Sequence, residues 1–359
     1  MKKIDAYIIK NFLLTFFFIL TVLMLIASVF DYTEKMDDFT EKNAPLVGLI
    51  FDYYMNFIIF YGNMFSPLLI FIAVIFFTSK MASRTEIVAI LSSGVSFYRL
   101  LWPYFLAASF LVFVSLAFNH YAVPHANKVR IAFEEAYFKI AFRNHDKEIH
   151  KRIGPNDLTY FESYNAQSDI GYKFTLESWE DGDLVFKLRS DYAQFDSSKQ
   201  MWTVHNYVKR YINGEDERIE KGLEMDTSLN LHPSEFEQRL EYTTQMMTTP
   251  ELNEYIEDEM KSGSENVPFH LIEKHQRTAI PFSTFIMVLI GVSISSRKTR
   301  GGIGAHLAVG LLIAVSYVFI AKVSTVYATN AGLPPFIATW IPNIVYAILG
   351  IYIFRLAPK

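Results

Sequence analysis

Few side chains in this sequence are spaced for covalent chemistry. Cysteine is absent, which removes disulfides, thiolate zinc sites and thiol nucleophiles. His145 and His150 are five positions apart. A helical metal pair sits at i and i+4, so these two read as a solvated loop. Glu134 and Glu135 are adjacent and point in different directions, as on a solvated helix face. His-Glu-x-x-His, Gly-x-Ser-x-Gly and the Gly-x-x-x-x-Gly-Lys-Ser/Thr phosphate cradle are all missing. No catalytic role and no cofactor is therefore expected for this chain. Any energy it uses must come from a partner or an ion gradient.

The segment with the clearest design is Ser83-Arg84-Thr85-Glu86-Ile87-Val88-Ala89-Ile90-Leu91-Ser92-Ser93-Gly94. Ser83 and Glu86 have capping-box spacing. Ile87, Ile90 and Leu91 recur at helical spacing, and Gly94 can close the helix in a left-handed turn. The pattern predicts a short amphipathic helix. Glu86 there has two compatible uses: it can satisfy backbone N–H groups at the helix start, or meet a basic group on a partner.

These residues are positioned by a membrane architecture. Six apolar stretches occur, about Ile8–Phe30, Met55–Phe77, Leu100–Ala122, Thr278–Ser296, Ile303–Val326 and Phe336–Phe354. A helical crossing needs roughly 20 apolar residues. The first stretch is too long for a signal-peptide core and lacks a small-residue cleavage site, so it reads as a permanent span. Residues 1–123 thus hold three spans, 278–359 hold three more, and 124–277 form an inserted domain. The net charge of −4 gives no sign of nucleic-acid binding.

Lys and Arg at span ends set the orientation. Lys2, Lys3, Lys80, Arg84, Arg99, Arg297, Lys298, Arg300, Arg355 and Lys359 fall on one side. The loop after span one has only Lys35 and Lys42, among Asp31, Glu34, Asp37, Asp38, Glu41 and Asp52. Both termini are expected in the cytoplasm and the inserted domain outside, which in a bacterium is the periplasm. Lys322 is charged within span five, near its outer end. Snorkelling to the interface is one reading and lipid-phosphate contact the other.

The inserted domain is predicted as a β-sandwich or jelly roll. Tyr172, Phe174 and Leu176 alternate with polar residues, as do Leu184, Phe186 and Leu188. Asp181-Gly182 between the runs signals a type I′ hairpin. Asn213-Gly214 repeats it between the runs Trp202–Ile212 and Ile219–Met225, and Leu158–Tyr164 adds a strand. Helices are expected over Asn127–Arg143 and from an N-cap at Thr249, with Leu252, Tyr255 and Ile256 on one face. The strand aromatics read as core, or as an apolar interior able to take acyl chains.

The segment Ser83–Gly94 between two spans resembles the coupling helix of the LptF/LptG family of lipopolysaccharide-export permeases. The three-plus-three plan around a β domain is similar too. So are Tyr7-Ile8-Ile9-Lys10, Phe30-Asp31, Gly332-Leu333-Pro334-Pro335-Phe336-Ile337 and Ile341-Pro342. Phe30-Asp31 and Pro334-Pro335 look somewhat closer to the G member. The resemblance implies an F/G pair of permeases on two copies of a cytoplasmic ABC ATPase. It also implies a periplasmic bridge protein and lipopolysaccharide as cargo. Arg84, Glu86, Ile87 and Gly94 match the coupling pattern, with Ile90 and Leu91 on its apolar face. Lys35 falls near a position where relatives hold lipid phosphates. Lys322, Phe174 and Phe186 complete the expected lipid contacts. This chain departs at apolar Val29, where some relatives are basic, and Glu34, Asp37 and Asp38 would repel phosphate. A less phosphorylated lipid is expected.

Rival architectures fit less well. A secondary transporter places ionisable groups at the bilayer midplane, whereas these span interiors lack Asp and Glu. A membrane-anchored enzyme needs a catalytic constellation. A mechanical ABC protein usually has four spans.

Overall fold

The structure is a computed structural model. It describes residues 3–138, 147–165, 168–197, 199–214, 216–229, 231–233, 240–261, 264, 266–299 and 301–357. Six helices among these are long and apolar enough to cross a membrane. They are α1 (Lys3–Glu41), α2 (Leu46–Ser83), α4 (Phe97–Tyr137), α7 (Val267–Ser295), α8 (Gly302–Asn330) and α9 (Pro335–Leu356). The short α3 (Glu86–Ser92) joins α2 to α4, and α5 (Leu240–Met246) and α6 (Thr249–Lys261) precede α7. The helices outrun the apolar stretches because hydropathy marks only the bilayer core, while polar residues continue the same hydrogen-bond ladder. At ~1.5 Å per residue, α1 spans nearly twice a ~30 Å hydrocarbon layer.

The chain separates into two compact units, 1–139 with 244–256 and 266–359, and 140–243 with 257–265. In the helical unit, Ile8, Phe12, Ile70, Val74, Tyr104, Ala108 and Val288 belong to one buried cluster. Phe71, Ile75, Met287, Ile290 and Tyr346 form another. A Cβ on Gly291 would come within 2.9 Å of Val74 Cγ1, so glycine is what lets α7 approach α2. Coverage differs between spans. The most apolar windows of α1 and α8 are each 17% buried, against 50% for α2 and α4 and 61% for α7. Lipid or a partner must therefore cover α1 and α8.

The second unit holds β1 (Lys147–Arg152), β2 (Asp157–Asn165), β3 (Ile170–Tyr172), β4 (Thr175–Glu180), β5 (Asp183–Arg189), β6 (Tyr192–Asp196), β7 (Met201–Asn213) and β8 (Asp216–Thr227). All pairings are antiparallel. They close a ring β2-β3-β6-β7-β5-β4-β2, because the two ends of β2 pair with β3 and β4; β1 and β8 extend it. Closure removes most open edges. Inside, Phe161, Phe174, Leu188, Val204 and Trp202 are buried. Trp202 Nε1 donates to Leu231 O at 2.8 Å, which satisfies its one polar atom.

The fold is the polytopic helical protein with an inserted β domain that the sequence predicts, but details differ. Asp181 and Gly182 take φ of 51° and 92° as the hairpin requires. The second turn lies one residue later, because Asn213 pairs with Asp216 inside the ladder. The Tyr172–Leu176 run is two strands, broken where Lys173 turns to φ 49°. The helix expected to reach Arg143 stops at Tyr137, because Phe138 is extended; 139–143 lie outside the described residues. The α6 cap is Thr248, not Thr249. Thr248 N and Oγ1 both donate to Glu251 Oε2, at 2.7 and 2.8 Å, and Thr248 O accepts from Leu252 N. Thr249 Oγ1 instead meets His120 Nδ1 at 2.7 Å. Leu252 and Ile256 are buried as expected.

Candidate coupling helix and lipid contacts

The connection from α2 to α3 is built without the predicted capping box. Ser83 is the last residue of α2, and its hydroxyl donates back to Lys80 O at 2.9 Å. Thr85 reverses the chain at φ 62°, and its carbonyl accepts from Ala89 N at 3.0 Å. Spacing alone could not reveal this, because a capping box requires the Ser to lie outside the preceding helix. Gly94 ends the segment at φ 85°, a conformation costly for any residue with a Cβ.

Ile87, Ile90 and Leu91 of α3 point into the helical unit. Ile87 is 1% exposed and belongs to the cluster of Ile8, Phe12, Met81 and Phe97, and Ile90 and Leu91 pack on that cluster. Val88 is 56% exposed, and Arg84 also faces outward. The outer face of α3 is thus open while its inner face anchors it. Glu86 sits between the two. Its Oε2 accepts a hydrogen bond from Tyr7 Oη at 3.0 Å, and its Oε1 lies 4.0 Å from Arg84 Nη1. Nearby, Arg99 Nη2 donates to buried Asp5 Oδ2 at 2.8 Å. Ser96 caps α4 by accepting from Arg99 N. Sequence reasoning missed Tyr7, Asp5 and Arg99 as neighbours of this segment.

The expected lipid contacts separate into different environments. Lys35 lies on the extension of α1 and is half-buried. Its Nζ donates to Asp31 Oδ1 at 2.6 Å and to Tyr53 Oη at 2.5 Å, and lies 4.7 Å from the Phe138 ring centroid. Tyr53 and Tyr54 donate in turn to Asp31 Oδ2. The charge of Lys35 is therefore satisfied internally. Glu134, read from sequence as solvated, is buried. Arg130 Nη1 donates to it at 2.5 Å, and Arg130 Nη2 donates to Asn127 Oδ1 at 3.1 Å. An unpaired buried carboxylate would be costly, and Arg130 at i−4 offsets that cost.

Lys322 is exposed, and it borders a cavity of about 480 Å³ lined by residues of α2, α4, α5, α7, α8 and α9. Phe65, Leu68, Phe71 and Tyr317 line its apolar part, with Glu273 and Arg277 at its polar part. In the sheet, Phe174 is fully buried, 5.0 Å from the Phe161 ring. Phe186 is half-buried against Tyr211 at 5.2 Å. No group of three or more His, Cys, Asp or Glu able to hold a metal occurs among the described residues. His145 lies outside them.

No individual curated protein matches the chain. A family model described as lipopolysaccharide export system permease LptF/LptG matches residues 6–356. With nearly the full chain covered, and with six candidate spans around an antiparallel sheet, the protein belongs to the LptF/LptG permease family.

Proposed function

We propose that this chain is one of two permease subunits of an ABC exporter. The exporter extracts lipopolysaccharide from the inner membrane and passes it to a periplasmic bridge protein. The observation that carries this reading is α3. It is anchored by Ile87, Ile90 and Leu91 and leaves Arg84, Val88 and one edge of Glu86 for a second protein. Two copies of a cytoplasmic ATPase dock there and at the partner permease, with Glu86 facing a basic group. Family membership supports the transport role. The basic residues Lys80, Arg84, Arg99, Arg297 and Lys298 support placing this side in the cytoplasm and the sheet in the periplasm.

The second permease covers α1 and α8, the spans with the least cover from their own chain. Lys322 is the basic group offered to lipid phosphate beside the apolar cavity, where it acts as a point charge. Lys35, held by Asp31, serves as a structural strut. Acyl chains that reach the sheet meet half-buried Phe186 before packed Phe174.

Purification of the tagged chain from its native membrane in mild detergent tests the assignment. The expected result is co-purification of an ABC ATPase, a second six-span permease and lipopolysaccharide. Recovery of the chain alone, even after mild crosslinking, would contradict it.

A further inference from the structure

We infer that Tyr7 is a positioning residue that ties Glu86 to span one, so that α1 acts as the lever moved by α3. This rests on the coupling role proposed above for α3. Three fastenings join the N-terminal end of α1 to the α3 region. Tyr7 Oη donates to Glu86 Oε2 at 3.0 Å. Asp5 pairs with Arg99 at 2.8 Å, just beyond α3. Ile8 and Ile87 share one buried cluster.

The carboxylate is divided between two duties. Oε2 is taken by Tyr7, while Oε1 faces Arg84 at 4.0 Å, beyond ordinary hydrogen-bond length. Glu86 can therefore meet a cation of a docked ATPase through Oε1 and pull on Tyr7 through Oε2. The Tyr7 ring is steadied against Phe77 at 6.3 Å.

α1 suits transmission. Its 39 residues contain neither Pro nor Gly, the usual sources of kinks, whereas α2, α4, α7 and α9 each carry an internal Pro. Only 17% of its most apolar window is buried, so the middle of the span has little cover from its own chain. A shift at Glu86 thus reaches the outer end of span one through a stiff rod.

The test uses the complete exporter, purified through this chain and placed in proteoliposomes, with lipid exported per ATP hydrolysed as the readout. Tyr7→Phe keeps the ring and removes the hydroxyl. It is expected to retain the ATPase at normal stoichiometry and the wild-type Tm. Export per ATP should fall roughly tenfold, the scale of one hydrogen bond to a charged group. An unchanged ratio would overturn the inference. Loss of the ATPase from Tyr7→Phe would also overturn it, because the hydroxyl would then serve docking. Glu86→Ala in the same assay separates the two ideas. If that variant keeps both ATPase and export, the coupling role of α3 fails. If it loses them while Tyr7→Phe behaves as wild type, only the lever role of Tyr7 fails.

Discussion

At its N-terminal end α1 sends Asp5 to Arg99 and Tyr7 to Glu86, partners 94 and 79 positions away. Toward its other end Lys35 turns back to Asp31, four positions earlier in the same helix, and to Tyr53. One end of the helix is bonded to a segment with an open outer face, and the other is closed by its own paired charge and by aromatic rings from α2 and the end of α4. A charged residue near a membrane surface is available to a ligand only if its own chain leaves it unsatisfied. Glu86 keeps one oxygen beyond hydrogen-bond reach of Arg84, whereas the Lys35 ammonium is held by Asp31 and Tyr53. This contrast is why Lys322, rather than Lys35, is the phosphate contact proposed above.

The largest expected effect comes from opening the closed end. Arg130→Met strands buried Glu134 and should lower stability by about 3–5 kcal/mol, read as the Tm of the protein in detergent. Wild-type stability would show that the outer end is not locked as described. At the other end, Glu86→Ala should weaken ATPase retention by about 2–5 kcal/mol, roughly 30-fold or more, while leaving Tm near wild type. Intact retention would erase the contrast.

Lys35→Met and Lys322→Met sharpen it. The first should cost about 1–2 kcal/mol of stability and leave the preference for phosphorylated over dephosphorylated lipid unchanged. The second should leave stability alone and reduce that preference by roughly five- to tenfold, about 1 kcal/mol. Reversed outcomes in lipid binding would restore Lys35 as the phosphate contact.

The smallest effect is a control at the start of α6. The amide and hydroxyl of Thr248 hold the Glu251 carboxyl below its ordinary range. A depressed folded-state pKa gives stability that is complete above the unfolded value of about 4.3. It disappears as pH falls through the folded value. Glu251→Gln should therefore melt slightly below wild type at neutral pH and match it in acid. A difference that persists in strong acid would contradict the cap.

Much of this was legible in the residues. Hydropathy located all six spans, and Asp181-Gly182 located its hairpin, because both signals are local. Gly94 was legible for the same reason, since a left-handed helix end favours glycine. The Asp31–Lys35 pair has i,i+4 spacing and was readable, yet Tyr53 and Phe138 close that cage from elsewhere in the chain. The burial of the Arg130–Glu134 pair was missed because Phe60 and Tyr61, which flank Arg130, come from α2. Ser83 misled because capping-box spacing carries no information about where the preceding helix stops. The Tyr7–Glu86 bond joins two elements separated by the whole of α2, and no local pattern reports it.

The docking role of α3 is tested by a photo-crosslinking residue at position 88, on its open face, activated in native membranes. If α3 is the docking element, the adduct forms with a cytoplasmic ABC ATPase. Adducts with lipid alone, or with a periplasmic protein, would contradict it.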